Sequence, residues 1–562
     1  MSDITRTRPN ADQADEAIRG IRDIAEAIRE GGFSDNMIAA LLNKDNYKPI
    51  MKVWFERRVF DEQSDFTELC EEWYRITRTG WKGGVRFAIP ASGSAASSDG
   101  TKTGDNFGMS CTPSTLTTAN RDDYANIPLF FPVDVNVVLD ANGDPHITAI
   151  DGICGTFKRS DPTVIVGVMQ MTGWKKAVVD VSNGVYGWDY TDTPNLTGFQ
   201  PLPEAVSLLN NGVRNFVVHG KYTAGDNWSC CSGQKVKVWD VSHNSCRSGI
   251  HNKWGNQYCG FTSADSAFLQ LMLYLKYGTL DSDRVLAGCC DYNYDYTPAL
   301  AETGVERVLL TTSQAANILE GSTMHLSSSA RGGTVVADRV KVKKVETVNV
   351  GGTDYGAVYV DNGGTTFDTT TSLHFATLQW HTGSTDGVLG NDGGINPSIA
   401  KYPVKIQGIE YMVGAWEVIG DTILNHETIS SVAVEAAHIC RDASKIAESI
   451  TLDYKAASFG VPKPASAGWQ YPKQMREDEN LPELIFPIDI GGSTSAGPRD
   501  GFYLEAQSAT GTREWLRFGG LGSGVAGAGL SAGGCGGLSD ALWSFAGRLS
   551  LTGNRGEFQP AA

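Results

Sequence analysis

The chain has 562 residues, and 47 Lys+Arg against 64 Asp+Glu give it a formal charge of −17. So acidic a balance, with no basic block, excludes sequence-independent nucleic-acid binding and docking on anionic lipid, which need clustered Lys and Arg. Hydrophobic residues at 41% and charged residues at 20% describe an ordered chain, and its 64 glycines are an excess over ordinary usage.

No stretch approaches the ~20 apolar residues of a membrane helix, and Met1 to Asn10 lacks the apolar core of a secretory signal. Synthesis and folding in a cytoplasm are therefore expected. Residues 11–30 read as a helix. Ala14, Ile18, Ile21, Ala25 and Ile28 follow a 4-3-4-3 spacing that Gly31-Gly32 ends. That stripe suits either an oligomerising or virion-attaching helix (1–33) or an amphipathic helix packed on its own domain. Asn36 to Arg75, rich in Trp54, Phe55, Phe60, Phe66 and Trp73, reads as a small helical unit, and Ala91 to Asn106 as a loop. Together these make a second region, 34–128.

Strands dominate a third region, 129–250. Val133–Leu139, an Asn142-Gly143 turn and His146–Ile150 have the pattern of a hairpin, followed by strands at 163–168, 177–181 and 215–219. The fourth region, 251–562, opens with a helix capped at Ser263 and stopped at Gly278. It is apolar nearly all round, and so expected to be buried. Glu306 to Asp361 alternates as strands with turns at Gly332-Gly333 and Gly351-Gly352, a β-rich insertion over about 306–372. Short strands and long Gly/Ser/Pro loops fill the rest. The expected fold class is α+β, mostly short β-strands and long loops, with a short helical N-terminus.

Several motif matches lack their context. Gly522-Ser-Gly524-Val-Ala-Gly527 fits a dinucleotide fingerprint, but a glycine run rather than a helix follows it. Gly529-Leu-Ser531-Ala-Gly533 fits a nucleophile elbow, yet the last histidine is His438, on the wrong side of the serine. Asp291-Tyr-Asn293-Tyr-Asp295 imitates a calcium loop, with Tyr296 where glycine is needed. The eleven cysteines include the adjacent pairs Cys230-Cys231 and Cys289-Cys290 but no Cys-x-x-Cys, and read as buried free thiols, with a vicinal or loop-closing disulfide as the alternative.

Two patterns survive. One is Gly408-Ile-Glu410-Tyr-Met-Val-Gly414-Ala-Trp416-Glu417-Val-Ile-Gly-Asp421; the other is Trp515-Leu-Arg-Phe518-Gly519-Gly520, closed by Gly547-Arg548-Leu549. Together they resemble the formylglycine-generating-enzyme branch of the C-type lectin-like fold, whose signature is Gly-x-Glu-x-x-x-Gly-Asn-x-Trp-Glu-Trp, then Arg-Gly-Gly and Gly-Phe-Arg-Leu. The chain departs from it at Ala415, Val418, Phe518 and the Gly547-Arg548 step. The copper-binding cysteine pair of the enzyme branch has no counterpart between Cys440 and Cys535. No catalytic residue, metal or cofactor is therefore expected. With Tyr402-Pro403, Gln407-Gly408-Ile409-Glu410 and Trp469-Gln470, the chain is more similar to the variable proteins of diversity-generating retroelements and related phage tail-associated proteins.

That resemblance implies a phage virion protein, tail- or fibre-associated, with a C-terminal lectin-like domain that binds a protein or glycan on the host cell. Other implied partners are virion proteins and further copies of the chain, such as a trimer. Trp416, Glu417, Trp515, Trp543 and Arg548 would form the scaffold. Arg517, Gly522, Ser523, Val525, Ser531, Gly533, Cys535, Asp540, Leu542 and Ser544 would be the displayed, replaceable positions. Small side chains on a fixed backbone can change with little cost to folding. The alternative is a virion decoration or baseplate protein that binds no receptor.

Overall fold

The structure, a computed structural model, describes residues 35–61, 66–91, 97–492, 498–524, 532–534 and 536–559. The helix expected over 11–30 lies outside them. Helices at Asp35–Leu41, Tyr47–Asp61 and Phe66–Ile76 form the expected helical unit. The last of them buries Leu69, Cys70, Trp73 and Tyr74 on one side. The Trp73 indole N–H donates to the Tyr47 hydroxyl at 2.9 Å, so the buried polar end of each ring is satisfied by the other.

The 91–106 loop is only partly one. Thr101–Gly104 is an edge strand paired with Lys82–Ala88, held by main-chain bonds that its polar composition did not advertise. Lys82–Ala88 also pairs with Val185–Thr191 in a five-stranded sheet, and Val133–Leu139 lies between Pro145–Ile150 and Val166–Met171 in a four-stranded one. The Asn142-Gly143 hairpin is present, whereas the next strand runs from Val166 to Met171 rather than 163–168. Its wholly buried run, which includes Gln170, pairs with Phe216–Gly220, so its ends follow the partner strand rather than the hydrophobic alternation.

Helix α1 spans Ser263–Tyr277 and is buried from Ser263 to Lys276. Its cap is Thr262, one residue earlier than the sequence suggests. Thr262 and Asp265 form a capping box, while the Ser263 hydroxyl donates to Asp421 at 2.8 Å. Gly278, at φ 63°, stops the helix in the left-handed region. The β-rich insertion is an antiparallel six-stranded sheet drawn from 295–378, with its own apolar core of Val308, Leu310, Met324, Leu326, Val340, Val358 and Phe375.

The C-terminal sheet carries the surface of interest. Its strands are β1 (Trp416–Ile429), β2 (Val432–Cys440), β3 (Tyr454–Pro462), β4 (Gly468–Gln470), β5 (Phe502–Leu504), β6 (Thr512–Arg517) and β7 (Ala532–Gly533), with β8 (Phe545–Ala546) beside the start of β1. The order is β3-β2-β1-β6-β7-β5-β4. The β5–β7 and β1–β8 pairs are parallel and the others antiparallel.

One continuous apolar core takes side chains from Ile38 to Leu551. It crosses the boundaries expected at 128/129 and 250/251, as do the pairing of 82–88 with 185–191 and the bridge between Thr223 and Arg548. Composition shifts mark changes of local conformation and say nothing about which distant segment covers a face; the insertion keeps a core of its own. Among the described residues no helix is long and apolar enough to cross a membrane.

Candidate functional site

The frame beneath the expected display surface rests on one buried ion pair. Arg548 Nε and Nη2 donate to the Glu417 carboxylate at 2.7 and 2.8 Å, and Nη2 also reaches the Glu410 carbonyl at 2.7 Å. Thr223 Oγ1 donates to Glu417 at 2.5 Å. Burial works against the Arg548 charge, but the Glu417 carboxylate outweighs it and holds the guanidinium pKa above its ordinary value. Trp515 is buried edge-on against Phe486, and Phe518 and Phe545 are buried as well.

Above this frame the main chain of 538–544 is held by its carbonyls. Those of Leu538, Leu542, Trp543 and Ser544 accept from Asn244 N–H (3.0 Å), Trp239 N–H (3.3 Å), Gln379 Nε2 (3.2 Å) and Trp416 N–H (2.8 Å). Gly522, Asp540 and Leu542 are exposed here, and Ser523 and Ser544 half-buried. Trp543 lies under Arg331, whose guanidinium carbon is 4.2 Å from the ring centroid. Arg331 comes from a turn of the insertion with φ 53°, and also donates to the Thr377 carbonyl. The insertion thus reaches the C-terminal surface by one planar cation on an indole.

Two of the expected display positions are corrected. Arg517 is fully buried, because register pairs it with Glu417 on one side and Ala532 on the other, in the middle of the sheet. Among the described residues, none of its three guanidinium nitrogens has a hydrogen-bond partner. Desolvation lowers its pKa to about 10, and Tyr274 and Asp500 offset only part of that. Gly533 is also buried, yet a Cβ there would meet only ordinary contacts, with Leu516 Cβ at 3.8 Å and Trp416 Cζ3 at 3.9 Å. Val525, Ser531 and Cys535 lie outside the described residues.

The scaffold residues divide too. Trp515, Glu417 and Arg548 are buried, whereas Trp416 and Trp543 are half-buried and belong to the surface itself. Trp416 stacks on Trp469 (centroids 6.0 Å, 24° between planes), and Trp469 meets Tyr503 edge-on at 5.6 Å. Arg331, Trp239, Asn244 and Gln379 were not read from the sequence. They lie 130 or more residues before the segment they hold, and no local pattern announces such pairings.

Gly534 and Gly536 each sit on a buried carboxylate. A Cβ on Gly534 would come within 2.2 Å of Glu435 Oε2, and one on Gly536 within 2.6 Å of Glu514 Oε1. Burial pushes the Glu514 pKa up to about 8, against the N–H of His243 that donates to its other oxygen at 3.0 Å. Elsewhere Cys111, Asp122 and Asp392 lie close enough to hold a cation, but the Lys276 ammonium already stands 2.7 Å from Asp392 and 3.4 Å from Asp122. The ten described cysteines, both vicinal pairs included, are free thiols. No protein-family model matches this chain, and neither does any curated protein.

Proposed function

We propose that the chain is a phage virion protein, tail- or fibre-associated, whose C-terminal part has a C-type lectin-like fold and displays a replaceable ligand-binding surface to the host cell. One observation carries this reading. The exposed or half-buried Asp540, Leu542 and Ser544 lie on a segment held through the carbonyls of Leu538, Leu542, Trp543 and Ser544. Gly522 and Ser523 follow Leu521, whose carbonyl accepts from Tyr292 N–H at 2.9 Å, and all lie beside a frame fixed by Glu417–Arg548 and Trp515. Such an arrangement separates what touches a partner from what keeps the fold. The mechanism is binding rather than catalysis, and several copies on one particle would add weak contacts by effective concentration.

Adhesion of the purified, fluorescently tagged protein to intact candidate host bacteria tests the proposal. Saturable binding that Leu542→Ala or Asp540→Ala changes, with melting temperature kept, is the expected result. A protein that adheres to no host strain yet assembles onto particles would instead be a decoration or baseplate component. Independent support would be a reverse transcriptase gene in the neighbouring DNA beside a near-copy of the codons for 515–549.

A further inference from the structure

On the outer face of the C-terminal sheet, Trp416, Trp469 and Tyr503 form a row of half-buried rings with successive centroids 6.0 and 5.6 Å apart. The opposite side chains of the same strands, Phe502 and Leu504, are buried, so the row faces away from the core. Glycines stand at both ends of the Trp416 indole. Gly520 lies by its Cδ1 and Nε1 atoms and Gly533 by Cζ3, where a Cβ would come to 3.3, 3.5 and 3.9 Å. The Ser544 Cβ stands 3.4 Å from the same point above Gly520.

Among the described residues, the indole N–H groups of Trp416 and Trp469 and the hydroxyls of Tyr503 and Ser544 have no hydrogen-bond partner, and all four side chains are half-buried rather than enclosed. Open ring surface edged by free N–H and O–H groups, with no charge among them, is the complement of a pyranose. A sugar ring offers a face of slightly positive C–H groups to the negative face of an aromatic ring, and hydroxyls at its rim to the donors and acceptors beside it. The formal charge of −17 disfavours an anionic polymer. A row of half-buried rings is not the deep, fully desolvated pocket that a protein hot spot fills.

The geometry points to a saccharide-binding site at Trp416, Trp469 and Tyr503, taking one or two uncharged sugar units. It rests on the receptor-binding proposal and narrows it to glycans. The test uses the full chain with intact host cells, cells treated with proteinase K, cells treated with periodate (which cleaves vicinal diols), and protein-free polysaccharide purified from those cells. Expected are adhesion that survives proteinase and is lost after periodate, and a shift of tryptophan emission on adding the polysaccharide. Trp469→Ala should weaken polysaccharide binding about tenfold or more, and Tyr503→Phe, which removes only the hydroxyl, about threefold. Val432→Ser, at an exposed hairpin tip, should leave it unchanged. Circular dichroism would establish that each variant is folded. Adhesion that proteinase abolishes and Trp469→Ala leaves intact would overturn the saccharide site while keeping receptor binding. Binding to neither cells nor polysaccharide would overturn both.

Discussion

At the scale of single residues, burial separates two kinds of tryptophan that look alike in sequence. Trp515→Ala should cost about 3–5 kcal/mol in urea unfolding, and the half-buried Trp416 and Trp543 clearly less. Glu417→Gln should be as damaging, at about 3–5 kcal/mol, because it leaves the Arg548 guanidinium buried without its counter-charge. Glu514 gives a pH dependence. Its folded pKa, near 8, stands above the unfolded value of about 4.3, so the fold binds the extra proton. That contribution is fully present below pH 4.3 and is lost as pH rises toward 8. Glu514→Gln keeps an acceptor for His243 and should flatten stability across that window, measured by urea midpoints at pH 5 and 8. Of the residue-level picture, scaffold roles for Glu417 and Arg548 were what the family resemblance implied, and both are buried in one ion pair. The burial of Arg517 was not legible, since an arginine beside glycines carries no mark of which strand will cover it.

At the scale of elements, the glycine run resolves into positions with and without room. Gly533→Ala should change stability by less than about 0.5 kcal/mol. Gly547→Ala drives a methyl to 2.8 Å from the Trp228 ring and 3.0 Å from Cys246 Sγ, and should cost about 1–3 kcal/mol. Thermal melts of the two variants check the ranking. The Arg331 contact is the other element-level lever. Arg331→Lys keeps the charge and loses the planar stack, so amide exchange at 541–545 should quicken while the insertion's own strands stay protected. Local chemistry announced the Asn142-Gly143 hairpin, helix α1 and the alternating insertion strands, each specified by neighbours in sequence. The edge strand at 101–104 and the shifted start at Val166 depend on partners some 20 to 50 residues away, and these could not be read locally.

At the scale of the whole molecule, the shared core ties the helical unit to the C-terminal sheet. Trp73→Ala should therefore lower the midpoint of the main unfolding transition rather than release an early separate step, as followed by near-ultraviolet circular dichroism. The α+β character was evident from alternating strands and two kinds of helix signal. The merging of three expected regions into one core was not, because hydrophobic patterning says that a face is covered without saying by what. The four bonds to the carbonyls of Leu538, Leu542, Trp543 and Ser544 have a consequence of their own. Every amino acid presents the same carbonyl, so a grip of this kind cannot read the residue it holds. A lineage could rewrite the lettering at Leu542 and Ser544 and the hand that steadies the page would never notice.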